Sequence, residues 1–222
     1  MTLSPQTPPG APGLLACLRR DIARLSRGHA SRAKAVLVIF TNRGFHSIFL
    51  YRLGHFLWKH RIPLIPMLLA RIAQHLFAVD ISYKARLGPG IVIVHGFGVV
   101  IGSDVEIASD CCIFHGVTLG DRGSEWVNSD RPDGHPRVGS EVMFGAGAKV
   151  LGPIHIGDNT VIGANAVVLT DIPADSVAAG IPAKVVGRRK SPHWVESKVS
   201  ATDGKPTTAQ GNAPASQESL RA

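Results

Sequence analysis

Apolar residues recur every six positions through the second half of the chain. Val138, Phe144, Val150, Ile156, Ile162 and Val168 follow one another at that step without a gap, and Val142, Ala148, Ile154, Thr160, Ala166 and Ile172 each stand four places further on. A shorter run, Ile101, Ile107, Ile113 and Leu119, keeps the same step, with Val105, Cys111 and Val117 four later. In an α-helix, residues six apart are turned by about 240° and cannot share a buried face. In extended chain the side chains alternate, so positions i, i+4 and i+6 point the same way. The pattern therefore predicts short strands. Glycine commonly follows the leading residue, at Gly88, Gly102, Gly120, Gly139, Gly145, Gly157 and Gly163, where it frees the backbone to turn between strands. Such a chain winds into a prism of flat parallel faces with the aliphatic residues stacked inside.

Ahead of the repeat the pattern changes. Residues 13–27 and 31–78 read as helices, with apolar clusters FHSIFLYRLGHFLW (45–58) and IPLIPMLLARIAQHLF (62–77) broken by Pro63 and Pro66. The chain thus divides into a helical region over 13–78 and a solenoid over 79–190. Residues 1–12, with four prolines, and the polar stretch 191–222 are too poor in apolar surface to pack, and are expected to be flexible tails. Between 121 and 137 the segment DRGSEWVNSDRPDGHPR has no sixfold pattern. A loop inserted into a rigid solenoid projects from it and is a common place for substrate contacts.

Composition narrows the picture. At 222 residues and 45% hydrophobic, the chain holds one sizeable core and is not generally disordered. Cys17, Cys111 and Cys112 are odd in number and two are adjacent, which suits neither a disulfide framework nor CxxC-spaced zinc and points to a reducing cytoplasm. No stretch reaches the about 18 uncharged apolar residues of a membrane span, and the start lacks a signal-peptide pattern. Residues 1–86 carry 13 Lys and Arg against 2 Asp and Glu, while residues 87–190 carry 8 against 11. A basic, apolar segment of this kind suits either an ordinary solvated helical face or peripheral contact with the inner face of a membrane; no nucleic-acid partner is expected.

The repeat resembles the hexapeptide-repeat family, which implies a mainly β fold, a left-handed parallel β-helix preceded by the α-helical region. The resemblance also implies a homotrimer or a multiple of trimers, with active sites between subunits. Within that family, VDISYKARLGPGIVIVHGFGVVIG (79–102), HGVTLGDRG (115–123), DGHPRVGSEVMFGAGAKVLGPIHIG (133–157) and VIGANAVVLTDIPADSVAAGIPAKVVG (161–187) look like the serine acetyltransferases. Acyl transfer from a thioester to a hydroxyl needs a base for the hydroxyl proton and donors for the oxyanion. Histidine, with an ordinary pKa of about 6.5, is the usual base, and a carboxylate on its other nitrogen fixes the tautomer. The resemblance assigns these roles to His95 and Asp80, which stand 15 residues apart. It puts His135, in the His-Pro, on the acceptor. Gly145, Ala146, Ala164 and Ala179, with Lys184 and Arg188, would line the groove for the co-substrate acetyl-CoA. His115 occupies a place where these enzymes have a different polar residue, and reads as a second active-site group, a rival base or an inert solenoid residue. No metal is expected.

The chain also departs from the serine-acetylating pattern. Those enzymes carry an acidic residue just before the base and an arginine just before the His of the His-Pro, and here Val94 and Gly134 stand in those places. An arginine is suited to clamp a carboxylate. HGFGVVI and FHGVTLGDRG are closer to the colanic acid and other exopolysaccharide O-acetyltransferases, so the acceptor stays open between a small molecule, L-serine, and a sugar hydroxyl of a glycan precursor. Two further classes compete: a zinc hydratase of the γ-carbonic anhydrase type, which uses three histidines with two of them closely spaced, whereas His95, His115 and His135 stand 20 apart, and a non-catalytic solenoid scaffold.

Overall fold

The computed structural model describes residues 12–26, 32–123 and 134–189; the tails expected at 1–12 and 191–222, Pro12 excepted, and residues 124–133 of the interruption lie outside them. Four helices come first: α1 (Leu14–Leu25), α2 (Arg32–Thr41), α3 (Arg43–Lys59) and α4 (Ile65–Phe77). The Asn42 side chain caps α3 by accepting from the Phe45 amide at 2.8 Å. Pro63 falls in the link before α4, as a helix breaker should. Pro66, in contrast to the sequence expectation, breaks nothing: it sits in the first turn of α4, where a missing N–H leaves no hydrogen bond unmade.

Short strands then alternate among three faces. The first face holds β1 (Val79–Ile81), β4 (Val99–Ile101), β7 (Thr118–Gly120), β10 (Lys149–Leu151) and β13 (Val167–Val168). The second holds β2 (Arg86–Leu87), β5 (Glu106–Ile107), β8 (Arg137–Val138) and β11 (His155–Ile156). The third holds β3 (Val92–Val94), β6 (Cys112–Phe114), β9 (Met143–Phe144), β12 (Val161–Ile162), β14 (Ser176–Gly180) and β15 (Ala183–Arg188). All ladders are parallel except β14 against β15, which folds back antiparallel. The result is a β-helix with a helical region ahead of it.

The sixfold residues make the core. On the first face Ile81, Ile101, Leu119, Val150 and Val168 stack rung on rung; on the third, Ile93, Ile113, Phe144, Ile162 and Ala178 do the same. All of them are buried. Thr160, the one polar member of the pattern, is buried too, and its hydroxyl lies 3.3 and 3.2 Å from the carbonyls of Asp158 and Pro173. Two of the glycines that follow the leading residue, Gly145 and Gly157, have a different reason from the one expected. Neither Gly145 nor Gly157 has positive φ. Instead, a Cβ at Gly145 would lie 2.5 Å from the Ala164 nitrogen, and one at Gly157 would lie 2.3 Å from that of Ala174; the next coil leaves no room for a side chain.

Three of the N-terminal arginines fasten the helices to the solenoid. Asp21 of α1 is buried, accepts from Arg52 at 3.0 Å and from the amides of Gly90 and Ile91 at 2.7 and 3.0 Å. Arg52 in turn donates to the carbonyls of Leu87 and Gly88. Arg20 grips the Asp110 carboxylate at 3.0 and 2.9 Å, and Arg24 reaches the Asp110 carbonyl. No described helix is long and apolar enough to cross a membrane.

Candidate active site

The coil that carries His95 is two residues wider than the one that follows it. Ladder partners are 20 residues apart between β1 and β4 and between β3 and β6, but 18, three hexads, between β4 and β7. The two extra residues lie between β3 and β4, in the corner His95–Gly98. The excess was visible in the sequence as a step of eight from Ile93 to Ile101, a signal the sixfold count passed over. His95 itself takes φ of 62°, an uncommon, strained conformation for a residue with a side chain. The corner is bound to the coils on either side by Gly98 N–H donating to the Ala78 carbonyl at 2.7 Å and Gly116 N–H donating to Phe97 at 2.8 Å. The first turn of α3 packs directly on it: a Cβ at Gly96 would stand 3.0 Å from the Cα of Gly44.

Register on the third face aligns the other candidates. Val94 pairs with Phe114, and Ile113 and Phe144 lie in successive rungs with Ile162 and Ala178. Counting on from these rungs places His95, His115, Ala146 and Ala164 in one column along the corner between the third and first faces. Gly145 and Ala179 stand one residue earlier in the same corner. The His95 and His115 rings meet edge to face, centroids 6.0 Å apart. Lys184 is the ladder partner of Ala179 at the foot of the column, and is exposed. Arg188 pairs with Ser176, at the other end of β14 and away from the column. Lys149, which the sequence reading missed, is tied into this corner by donating to the Gly116 carbonyl at 2.6 Å and the Thr118 hydroxyl at 3.0 Å.

Asp80 points outward from β1, two residues beyond Ala78. Its carboxylate accepts from Gln74 at 3.4 Å, and Gln74 accepts from Arg71 at 2.6 Å; both partners are on α4 and neither was singled out in the sequence. Among the described residues no hydrogen bond joins Asp80 to His95. His135 lies at a different corner, between the first and second faces. Its ring packs over Gly102, where a Cβ would come within 2.8 Å of it, and stands 3.8 Å from the Asp104 carboxylate. One chain therefore presents His95 and His135 at opposite edges of its first face, and the three histidines spaced by 20 do not converge within it. Among the described residues no three His, Cys, Asp or Glu side chains are grouped as metal ligands would be.

None of these residues lines the cavity of about 1010 Å³ between α1, α3 and the second face, which is bounded by Trp58, Lys59, Arg86, Glu106 and His155 among others. The column itself lies on open surface. A row of small side chains beside closely approaching backbone suits an extended, flexible arm laid along it, with the exposed Lys184 cation at one end and histidine at the other.

Comparisons with known proteins identify the repeat and the fold. Residues 135–170 match the bacterial transferase hexapeptide (six repeats) family. The chain is 42% identical over 175 residues to the serine acetyltransferase of Mycobacterium tuberculosis, covering 79% of this chain and 74% of that one. It is 44% identical over 163 residues to that of Helicobacter pylori, covering 73% of this chain and 91% of the other. Among solved structures, the serine acetyltransferase of Brucella abortus in complex with coenzyme A superimposes with a TM-score of 0.71 at 34% identity, over 78% of this chain and 67% of that one.

Proposed function

The chain belongs to the serine acetyltransferase family of acyltransferase enzymes, and we propose that it moves the acetyl group of acetyl-CoA to the hydroxyl of L-serine with His95 as general base. The observation that carries this reading is the single column that begins at His95 and His115 and continues through Ala146 and Ala164. Its small residues leave room for a pantetheine arm running up to His95, and a serine acetyltransferase of similar fold has been solved in complex with coenzyme A.

In this account His95 accepts the hydroxyl proton as the serine oxygen attacks the thioester carbonyl. The carbon–sulfur bond then breaks, and the imidazolium returns its proton to the departing sulfur. Asp80 orients the His95 ring through a hydrogen bond that forms when substrate is bound. His135 meets the acceptor. Because His135 and His95 stand at opposite edges of one face, the site is completed between neighbouring copies, one giving His95 and the next His135, in a trimer or a multiple of it. The three cysteines are all free thiols, which suits a reducing cytoplasm.

Val94 and Gly134 favour a second reading of the acceptor. With no arginine beside His135 to clamp a carboxylate, a sugar hydroxyl of a glycan precursor is the alternative.

Subunit mixing tests the shared site. His95→Ala is expected to lower turnover about 10²- to 10⁴-fold, and His135→Ala to impair the acceptor side. Co-assembling the two variants should restore part of the activity, because some interfaces then carry both native histidines. No recovery in mixed assemblies contradicts a site built from two chains.

A further inference from the structure

At the corner that carries His95, the backbone amides of Gly98, Gly116, Gly147 and Asn165 are all committed. They donate to the carbonyls of Ala78, Phe97, His115 and Ala146, at 2.7, 2.8, 2.9 and 2.8 Å. These four cannot turn toward a ligand without breaking the solenoid ladder. The His115 ring is the contrasting group: it is exposed, and neither of its nitrogens is hydrogen-bonded to another described residue.

Its position is fixed from both sides. The His115 carbonyl accepts from Gly147, and the following residue, Gly116, takes φ of 70° while donating to the coil above. The ring therefore hangs from a pinned backbone, 6.0 Å from the His95 ring and turned 66° to it. Coils in a parallel ladder are about 4.8 Å apart, so an acyl arm lying along Ala164 and Ala146 reaches His95 only by passing His115. The thioester carbonyl then lies beside His115 and the attacking hydroxyl beside His95.

We propose that His115 donates a ring N–H to the thioester carbonyl oxygen as that oxygen gains negative charge, making it a second catalytic residue; the proposal rests on the acetyl-transfer reading above. A neutral imidazole carries one N–H, so His115 serves as a donor without giving up a proton, and the proton traffic stays with His95. Removing one such oxyanion donor lowers turnover about 10²- to 10³-fold in enzymes of acyl transfer.

The test is steady-state kinetics of thiol release by the full chain, with coenzyme A affinity measured separately by calorimetry. His115→Ala is expected to lower kcat by about 10²- to 10³-fold, with coenzyme A affinity within about twofold of the native protein. His115→Gln keeps an N–H donor at similar reach and is expected to stay within about tenfold of native turnover. Native turnover in His115→Ala overturns the proposal and leaves the acetyl-transfer reading standing. A His115→Gln variant as inactive as His115→Ala also overturns it, and gives position 115 a proton-transfer role. A native protein that releases no thiol with any acceptor overturns both.

Discussion

Gly44 of α3 and Gly96 beside the candidate base lie backbone to backbone. A Cβ on Gly96 would stand 3.0 Å from both the nitrogen and the Cα of Gly44, and one on Gly44 would be 2.1 Å from the carbonyl oxygen of Ile93. The helix thus rests on the strand end that leads into His95, and it holds the widened corner in place. The obstructing atoms are backbone, so they cannot swing aside. Gly44→Ala is expected to cost about 1–3 kcal/mol and to lower turnover by displacing the corner. Thermal unfolding and turnover of the variant check this; a variant as stable and active as the native protein contradicts the contact.

Asp21 and Arg52 form a buried ion pair whose network joins three parts of the chain: α1, α3 and the first coil. Asp21→Ala strands the Arg52 guanidinium against the Leu87 and Gly88 carbonyls. Breaking such a pair costs about 3–5 kcal/mol, whereas replacing both partners by apolar residues is much milder. Chemical denaturation of Asp21→Ala and of the double variant Asp21→Leu/Arg52→Met is expected to show that order.

The sixfold core was legible because strand geometry is local: a residue's phase in the repeat decides whether it points inward, and Val138 to Val168 and Ile101 to Leu119 all did. The contacts of the helical region were not. Asp21 and Arg52 are 31 residues apart, and Arg20 and Asp110 are 90 apart, so no local pattern announces either pair. The candidate site was legible in part. Similarity of motif named His95, Asp80 and His135, but the separation of His135 from His95 depends on which corner the interruption leaves from, which only the wound chain displays. Gln74 and Arg71 lay outside every motif, since their relation to Asp80 arises where the end of α4 meets β1.

Burial holds the His55 imidazole below its ordinary value of 6.5, while its Nδ1 lies 2.8 Å from the Tyr83 carbonyl. The unfolded chain therefore binds the proton more readily than the folded one. This contribution is intact above about pH 6.5 and is lost as the pH falls from there through the lower folded value. His55→Gln should weaken the fall in stability between about pH 7 and about pH 5, measured as the change in denaturation midpoint. An unchanged pH dependence speaks against a half-buried neutral imidazole.

Lys184 stands opposite Ala179 at the foot of the column. Lys184→Ala is expected to raise the KM for acetyl-CoA by about tenfold, the loss of one exposed phosphate contact, with the acceptor KM nearly unchanged. Equal effects on both substrates contradict a phosphate role.

The most direct test is thiol release from acetyl-CoA by the purified protein, with L-serine in one reaction and nucleotide-sugar or oligosaccharide acceptors in others. Release that depends on L-serine, and that falls away in His95→Ala, is the predicted result. Release with sugars alone, or release with L-serine that survives in His95→Ala, contradicts the account.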